Sequence, residues 1–518
     1  MTSAADRVGA GLRAARAARP IRALERIHVV GAAGAGASAA AILATHAGAV
    51  VTACDAGGPS PYTPALDALG IVLAGEHSAA HVTSVPPPER LAVTKALTAI
   101  DPGQPELVAA RAAGIPVEPW QQVVADAAVG RTLVGVAGTH GKSTTAGWLV
   151  HVLVEAGADP SAFVGALMPS DVTGGPPATA RAGRGGAFVV EADEYAGNFD
   201  PYHPDLTVLT SAEWDHPDVF ADRAAVADAF ERWLRAVPEG ATLVANIGDR
   251  GVETVVDRLL DRPIAITAYA LVDASPQRGG YLRGIHERYG SAAGPARAIL
   301  GRIVAADPDG TTLEVYGLDA LAGALTVRVA TAGRHNAMNA LAVIGAAAGL
   351  GLDPADIAGG LETFTGVGRR LERKGEVAGV VVYDDYGHHP TAIRETLAAV
   401  RQREPGRRVW AVFEPLTYHR TAAMLDAFAD ALAEADAVAV ADIWAGRDPD
   451  TTITSATALA EAVASRRPGL TVLAPGSVEA TADALSSRAR SGDAVLVMGG
   501  GQSYRIGERL LLQLEARR

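Results

Sequence analysis

A strand-like run, Thr132 to Ala137, passes directly into Gly138-Thr-His-Gly-Lys-Ser-Thr144, and a helical pattern continues to about Glu155. A strand that hands over to a helix through a glycine turn belongs to a parallel sheet, because the helix must cross that sheet to reach the next strand. The glycines let backbone N–H groups turn inward, and the helix adds its positive N-terminal end. Gly138, Thr139, His140, Gly141, Lys142, Ser143 and Thr144 therefore suit a cradle for phosphate oxygens. Lys142 has the reach for the outer phosphates, and the Ser143 hydroxyl can ligate Mg²⁺. The loop departs from the strict P-loop pattern, since Val136 stands at its first glycine position. A plain glycine turn before a surface helix would explain neither the preceding strand nor the intact Gly-Lys-Ser-Thr.

The same alternation recurs on both sides. Ile27 to Val30 leads into Gly31-Ala-Ala-Gly34-Ala-Gly36, a helix of small residues from Ala37 to His46, and a second β run from Ala49 to Ala53 that ends at Asp55. This reads as a βαβ unit. Beyond the central loop lie β runs at Ala187–Val190, Leu206–Thr210 and Thr242–Asn246, then a Gly-rich polar excursion over residues 270–312. A third alternation begins near Gly333, with β runs at Val380–Tyr383, Val409–Phe413, Ala437–Val440 and Ala494–Met498. The pattern predicts three consecutive α/β domains, over residues 1–129, 130–332 and 333–518. A chain of 518 residues is too long for one hydrophobic core, which agrees with that division.

Net charge is −13, which argues against nucleic acid as a partner, since that needs clustered cations. Cys54 is the single cysteine, so no internal disulfide can form and a reducing compartment fits. Arg7, Arg13, Arg16 and Arg19 precede no apolar core, and residues 1–25 read as a surface helix or loose leader, not a signal peptide. Every apolar run is broken well before the roughly 20 residues of a membrane span. The expectation is a cytoplasmic protein with no membrane partner.

Two acidic motifs follow strands of the central unit: Glu191-Ala-Asp-Glu194 and Glu213-Trp-Asp-His216. Either one alone reads as solvated surface. At the carboxyl edge of the sheet that carries the phosphate loop, they suggest ligands for a divalent metal, and Ser143, Glu191 and His216 are the candidates.

Taken in order, the phosphate loop, Glu-Ala-Asp-Glu and Asp-His resemble the central domain of Mur ligases. Gly333-Arg-His-Asn336-Ala-Met-Asn339, Gly366-Val-Gly-Arg-Arg370 and Asp384-Asp-Tyr-Gly-His-His-Pro390 resemble later stretches of the same family. The likeness runs colinearly from about residue 26 to the C-terminus. It implies a Rossmann-like first domain, a P-loop ATPase-like central domain and a Rossmann-like third domain. It also implies ATP and Mg²⁺, with UDP-N-acetylmuramate and L-alanine joined through an acyl-phosphate, in a monomer or weak homodimer.

By the same resemblance Lys142 and Arg370 neutralise charge, Glu191 and His216 hold metal, and Asn336 and Asn339 contact adenine. Asp385 bonds ribose, and Tyr386, His388 and Arg420 take the amino acid. Gly31, Gly34 and Gly36 take a diphosphate, with Asp55 as the ribose acid. The chain departs from the family pattern at Ala32, Ala33 and Ala37, at Gly75-Glu76-His77, at Val93-Thr-Lys-Ala-Leu-Thr98, at Leu416, and at Gly499-Gly-Gly-Gln502. Within the family, a recycling ligase that takes a tripeptide is the alternative. Outside it, a P-loop switch would leave the third-domain motifs unexplained. A nicotinamide-dependent oxidoreductase would rest on the first glycine turn alone.

Overall fold

A computed structural model of the chain describes residues 8–273, 280–318, 323–446, 448 and 450–517. Arg7 and residues 274–279 of the polar excursion lie outside the described residues. Three sheets follow one another along the chain. The first has five parallel strands in the order Leu73–Ala74, Val50–Cys54, Arg26–Val30, Arg90–Val93, Val117–Pro119. The helix Ala35–His46 lies on it through a face of buried Ala, Ile and Leu. Such small side chains let helix and sheet approach closely. The neighbouring helix Trp120–Ala127 comes as near: a Cβ at Gly36 would fall 2.1 Å from the Trp120 ring.

The central sheet has ten strands, with Thr132–Ala137 between Leu206–Leu209 and Ala187–Ala192, all parallel. Within the described part of the excursion, a helix at Gly280–Arg288 leads back into the sheet. Arg297–Asp307, Gly310–Tyr316 and Leu325–Val329 form an antiparallel extension of the same layer. The third sheet has six strands, in the order Glu372–Val377, Val380–Asp385, Asp493–Gly499, Arg408–Glu414, Ala437–Ala441, Thr471–Gly476. No helix among the described residues is long and apolar enough to cross a membrane.

Two sequence expectations need correction. The stretch expected to open the third domain, Arg334–Gly349, is a helix of the central layer. Its Ala337, Leu341 and Ile344 share one core with Val134, Leu149 and Val208, and the third sheet starts only at Glu372. Helical periodicity cannot say which sheet a helix will cover. Nor do residues 8–25 form a surface helix or a loose leader. They run as turns and extended chain, pinned by Arg16 to Glu118 (2.8 Å) and Asp126 (2.7 Å) and by Arg19 to Glu25 (2.6 Å). Arg90 lies buried among the same three carboxylates. Three arginines and three carboxylates give that segment a fixed path that its composition did not suggest.

The third domain is tied to the central one at a distance from the phosphate loop. Gln402 donates from Nε2 to the carbonyls of Asp307 and Gly310, both at 2.9 Å, and its Oε1 accepts from the Gly333 amide at 2.9 Å. Arg403 donates to the Ala330 carbonyl at 2.8 Å.

Candidate active site

The strand Thr132–Ala137 ends in a turn that needs positive φ at Gly138 (+138°) and Gly141 (+80°), after which Lys142 begins the helix Lys142–Glu155. A Cβ at Gly141 would also fall 2.6 Å from Asn339 Oδ1, so the loop is packed as well as bent. Lys142 Nζ donates to the Gly138 carbonyl (2.6 Å) and to Glu194 Oε2 (2.8 Å), with Asp193 Oδ1 at 3.4 Å. Burial opposes its charge, but Glu194 and Asp193 outweigh burial and hold Lys142 protonated well above the usual ammonium range. Burial in turn raises Glu194 to about 7, against the pull of Lys142.

Ser143 Oγ donates to Glu191 Oε1 at 3.0 Å, and the other Glu191 oxygen accepts the Gly165 amide at 2.6 Å. Arg370 reaches across from the chain segment before the third sheet and donates to Ser143 Oγ at 2.9 Å. Its guanidinium also lies over the Tyr386 ring, 5.0 Å from the centroid. A hydroxyl and a carboxylate oxygen so placed are hard donors of the type Mg²⁺ takes.

The expected metal set is divided. His216 stands with Asp193 and Glu194, their ligand atoms within 4.8 Å of one another, while Ser143 and Glu191 pair with each other. His216 adopts φ +54° and packs against the Tyr195 ring at 4.7 Å. Burial, reinforced by Arg420, lowers its imidazole to about 4, so it is neutral at physiological pH.

Across the cleft, Arg420 is 3% exposed and donates to Asp215 Oδ1 at 2.7 Å, with His216 Nδ1 at 3.0 Å. Burial works against the Asp215 carboxylate, and the charge of the Arg420 guanidinium against it outweighs burial, holding it well below the usual range. His388 Nε2 lies 3.9 Å from the same carboxylate, and its Nδ1 faces the Tyr386 carbonyl at 2.9 Å. Burial and Arg420 keep that ring neutral. Nearby, Thr391 donates to Glu213 Oε2 at 2.7 Å and His389 Nε2 faces the Trp214 carbonyl at 3.2 Å.

A cavity of about 690 Å³ joins these groups. Thr139 to Thr144, Glu191, His216, Asn336, Asn339, Arg370, Asp385, Tyr386 and His388 all line it. Gly138 lies behind the loop, and Arg420 is buried beneath the wall. Asp385 has both oxygens on backbone amides, Gly387 and Leu371 at 2.7 Å each. Asn336 donates to the Ala332 carbonyl at 2.7 Å and accepts from Asn339 at 3.3 Å.

Gly31, Gly34, Gly36 and Asp55 do not line this cavity: Gly31 and Gly34 make the turn between the strand Arg26–Val30 and the helix Ala35–His46, Gly36 is in the first turn of that helix, and Asp55 follows the neighbouring strand Val50–Cys54. Asp55 accepts the Ala33 amide at 3.0 Å and the Gly57 amide at 2.9 Å, so it holds the turn's shape. Sequence reasoning passed over Asp193, Asp215 and Arg369. The first two sit inside motifs already singled out, and the signal was there: carboxylates alternating with the chosen residues. Arg369 bonds Asp384 (3.1 Å) and the Gly499 carbonyl (2.8 Å), and no pattern pointed to those partners.

A cradle for phosphate, a cluster of oxygen donors and a cation–carboxylate–imidazole group from a facing domain define a nucleotide-dependent ligase of three domains. Sequence models of that class match along the chain: the Mur ligase family catalytic domain over residues 26–132, the Mur ligase middle domain over 136–347, and the Mur ligase glutamate ligase domain over 369–501. The chain belongs to the Mur ligase family. It is 39% identical over 445 residues to the UDP-N-acetylmuramate–L-alanine ligase of Frankia casuarinae, covering 82% of this chain and 84% of that protein. It is 37% identical to the enzyme of the same name from Acidothermus cellulolyticus, covering 91% of each. In fold it matches the crystal structure of UDP-N-acetylmuramate–alanine ligase MurC from Thermotoga maritima, with TM-score 0.74, 23% identity, and coverage of 95% of this chain and 100% of that one. A murein peptide ligase from Psychrobacter arcticus matches with TM-score 0.67 and 24% identity, over 94% and 98% of the two chains.

Proposed function

We propose that the protein is an ATP-dependent ligase that joins L-alanine to UDP-N-acetylmuramate in the synthesis of peptidoglycan precursors. The observation that carries this reading is the meeting of the Lys142 loop with Arg370, Asp215 and His388 in one cavity, with Arg420 held against Asp215 behind its wall. The relatives at 37–39% identity bear the name of that activity.

The chemistry asks for cations where two anions meet. A muramyl carboxylate oxygen attacks the γ-phosphorus of ATP, the bond to ADP breaks, and an acyl-phosphate forms. The amine nitrogen of alanine then attacks the acyl carbon and inorganic phosphate leaves, with one proton lost from nitrogen. Lys142 and Arg370 offset the charge that gathers on the phosphoryl oxygens. The neutral ring of His388 stands beside the Asp215 carboxylate, where it can accept a proton. Arg420 offers a guanidinium to the carboxylate of the amino acid, in competition with Asp215.

Mg²⁺ fits the oxygen donors of Ser143 and Glu191, with the neutral imidazole of His216 beside Asp193 and Glu194 as a further donor set. When bound, the ion neutralises charge on phosphate oxygens. The reading includes a cytoplasmic enzyme, monomeric or weakly dimeric.

The test is phosphate release with ATP, UDP-N-acetylmuramate and a panel of amines. Release with alanine well above release with a tripeptide is the expected result. Efficient ligation of a tripeptide with poor use of alanine would replace this reading by a recycling ligase.

A further inference from the structure

We propose that the first domain holds a structural zinc ion between His28, Cys54, His81 and Glu106. The four come from separate elements that the fold gathers at one place. His28 lies on the strand Arg26–Val30 and Cys54 ends the neighbouring strand Val50–Cys54. His81 is on the short helix Ala80–Thr83, and Glu106 is in the first turn of the helix Pro105–Ala112. Their ligand atoms all lie within 4.8 Å of one another. Cys54 Sγ is 3.3 Å from Glu106 Oε1, and His81 Nδ1 is 2.9 Å from the same oxygen. A tetrahedral zinc with N, O and S ligands spaces those atoms roughly 3.3 to 3.6 Å apart, so small shifts suffice to close around an ion.

Three further features fit an ion better than a self-contained hydrogen-bond cluster. His28 is 1% exposed, and its Nε2 is buried with no hydrogen-bond partner, whereas Nδ1 is held by the Thr52 hydroxyl at 2.8 Å. One ring nitrogen anchored and the other bare is the arrangement of a metal-binding imidazole. Glu106 is likewise oriented, by the Ser78 amide at 2.9 Å and by the Gln104 side chain. The charges also balance: a thiolate, a carboxylate and two neutral imidazoles around Zn²⁺ leave no net charge among Val30, Val82, Leu91 and Leu107.

Sulfur and nitrogen donors select zinc over magnesium or calcium. Protein ligands at all four positions make the site structural, not catalytic. None of the four residues lines the 690 Å³ cavity. The ion would instead clamp the strand end beside the glycine turn, since the Cys54 carbonyl accepts the Gly31 amide at 2.9 Å and the Ala32 amide at 3.1 Å.

Cobalt substitution tests this on the full chain. Cys54 is the only cysteine in the sequence, so a thiolate-to-cobalt charge-transfer band can arise nowhere else. The imidazole and carboxylate clusters at the active site are silent in that band. After chelation and dialysis, Co²⁺ should produce the near-ultraviolet band together with the strong visible absorption of a tetrahedral ion. The band should saturate at one cobalt per chain and vanish on adding one equivalent of Zn²⁺. It should be absent in Cys54→Ser and weakened in His28→Gln. Zn²⁺ should raise the thermal midpoint of the wild type and leave that of Cys54→Ser unchanged. No thiolate band in the wild-type protein with excess cobalt would overturn the proposal, whatever the variants do. Persistence of the band in Cys54→Ser would do the same.

Discussion

Arg420 of the third domain donates to Asp215 of the central domain at 2.7 Å, and the pair is all but sealed from water. The guanidinium therefore already holds a carboxylate at the place where an amino-acid carboxylate is proposed to dock. Replacing Arg420 by Lys keeps the charge and loses the planar fork. The expected outcome is a KM for alanine raised on the order of 10- to 100-fold, the worth of a hydrogen bond or two to a charged group. The KM for ATP should change little. Initial-rate kinetics with each substrate varied in turn would show equal effects on both if Arg420 only braces the domains.

Lys142→Ala should lower kcat by roughly 10²- to 10³-fold, as expected when a donor to developing phosphoryl charge is lost. Near-normal turnover would sink the assignment of the loop. Lys142 also neutralises Glu194, and breaking a buried pair costs about 3–5 kcal/mol. A double variant with Glu194→Gln should therefore melt higher than the single one while staying equally inactive. Circular dichroism reports whether each variant is folded.

Metal dependence separates the two donor groups. Glu191→Ala and His216→Ala should each raise the Mg²⁺ concentration needed for half-maximal rate. Because Ser143 pairs with Glu191 and not with His216, the Glu191 variant should show the larger shift. Magnesium titrations that superimpose on the wild type would remove both residues from the proposed set.

Acid should loosen the first domain in a defined window. Burial opposes the Glu25 carboxylate, but Arg19, the Arg22 amide and Arg90 outweigh it and lower it to about 2. An unfolded Glu titrates near ~4.3. The folded value is the lower one, so this stabilisation is full above about pH 4.3 and is lost as pH falls towards 2. Glu25→Gln should melt lower at neutral pH and show a shallower fall in stability across that window. Parallel curves for the two proteins would contradict the linkage.

The phosphate loop, the candidate metal donors and Arg420 sit on two domains, so an open form would lack a complete site. Small-angle scattering should show a smaller radius of gyration when an ATP analogue and UDP-N-acetylmuramate are both present. An unchanged radius would count against closure.

Much of the fold was legible because alternation of strand and helix is a local signal. The β runs at Ile27, Thr132 and Val380 all fall on strands. What sequence could not give was partnership. Nothing in Arg334–Gly349 says that its alanines face Val134 and not the third sheet. The Glu191 and His216 motifs were found by composition and position. Which carboxylate each residue keeps company with depends on how two loops meet in space, so His216 fell in with Asp193 and Glu194. Asp55 shows the same limit: a strand-ending acid reads equally as a ribose ligand or a turn residue, and nothing in the sequence shows that its oxygens take the Ala33 and Gly57 amides.

Gln402 uses both ends of one amide on the neighbouring domain, three backbone atoms at 2.9 Å each. Sliding the third domain bodily away would break all three bonds together. A swing that leaves Gln402 in place opens the cavity only by breaking bonds that cross it, such as Arg420 to Asp215. The molecule is built like a clamshell whose knuckle is an amide, and the bonds of Arg370 to Ser143, Thr391 to Glu213 and Arg420 to Asp215 are the latches along its mouth.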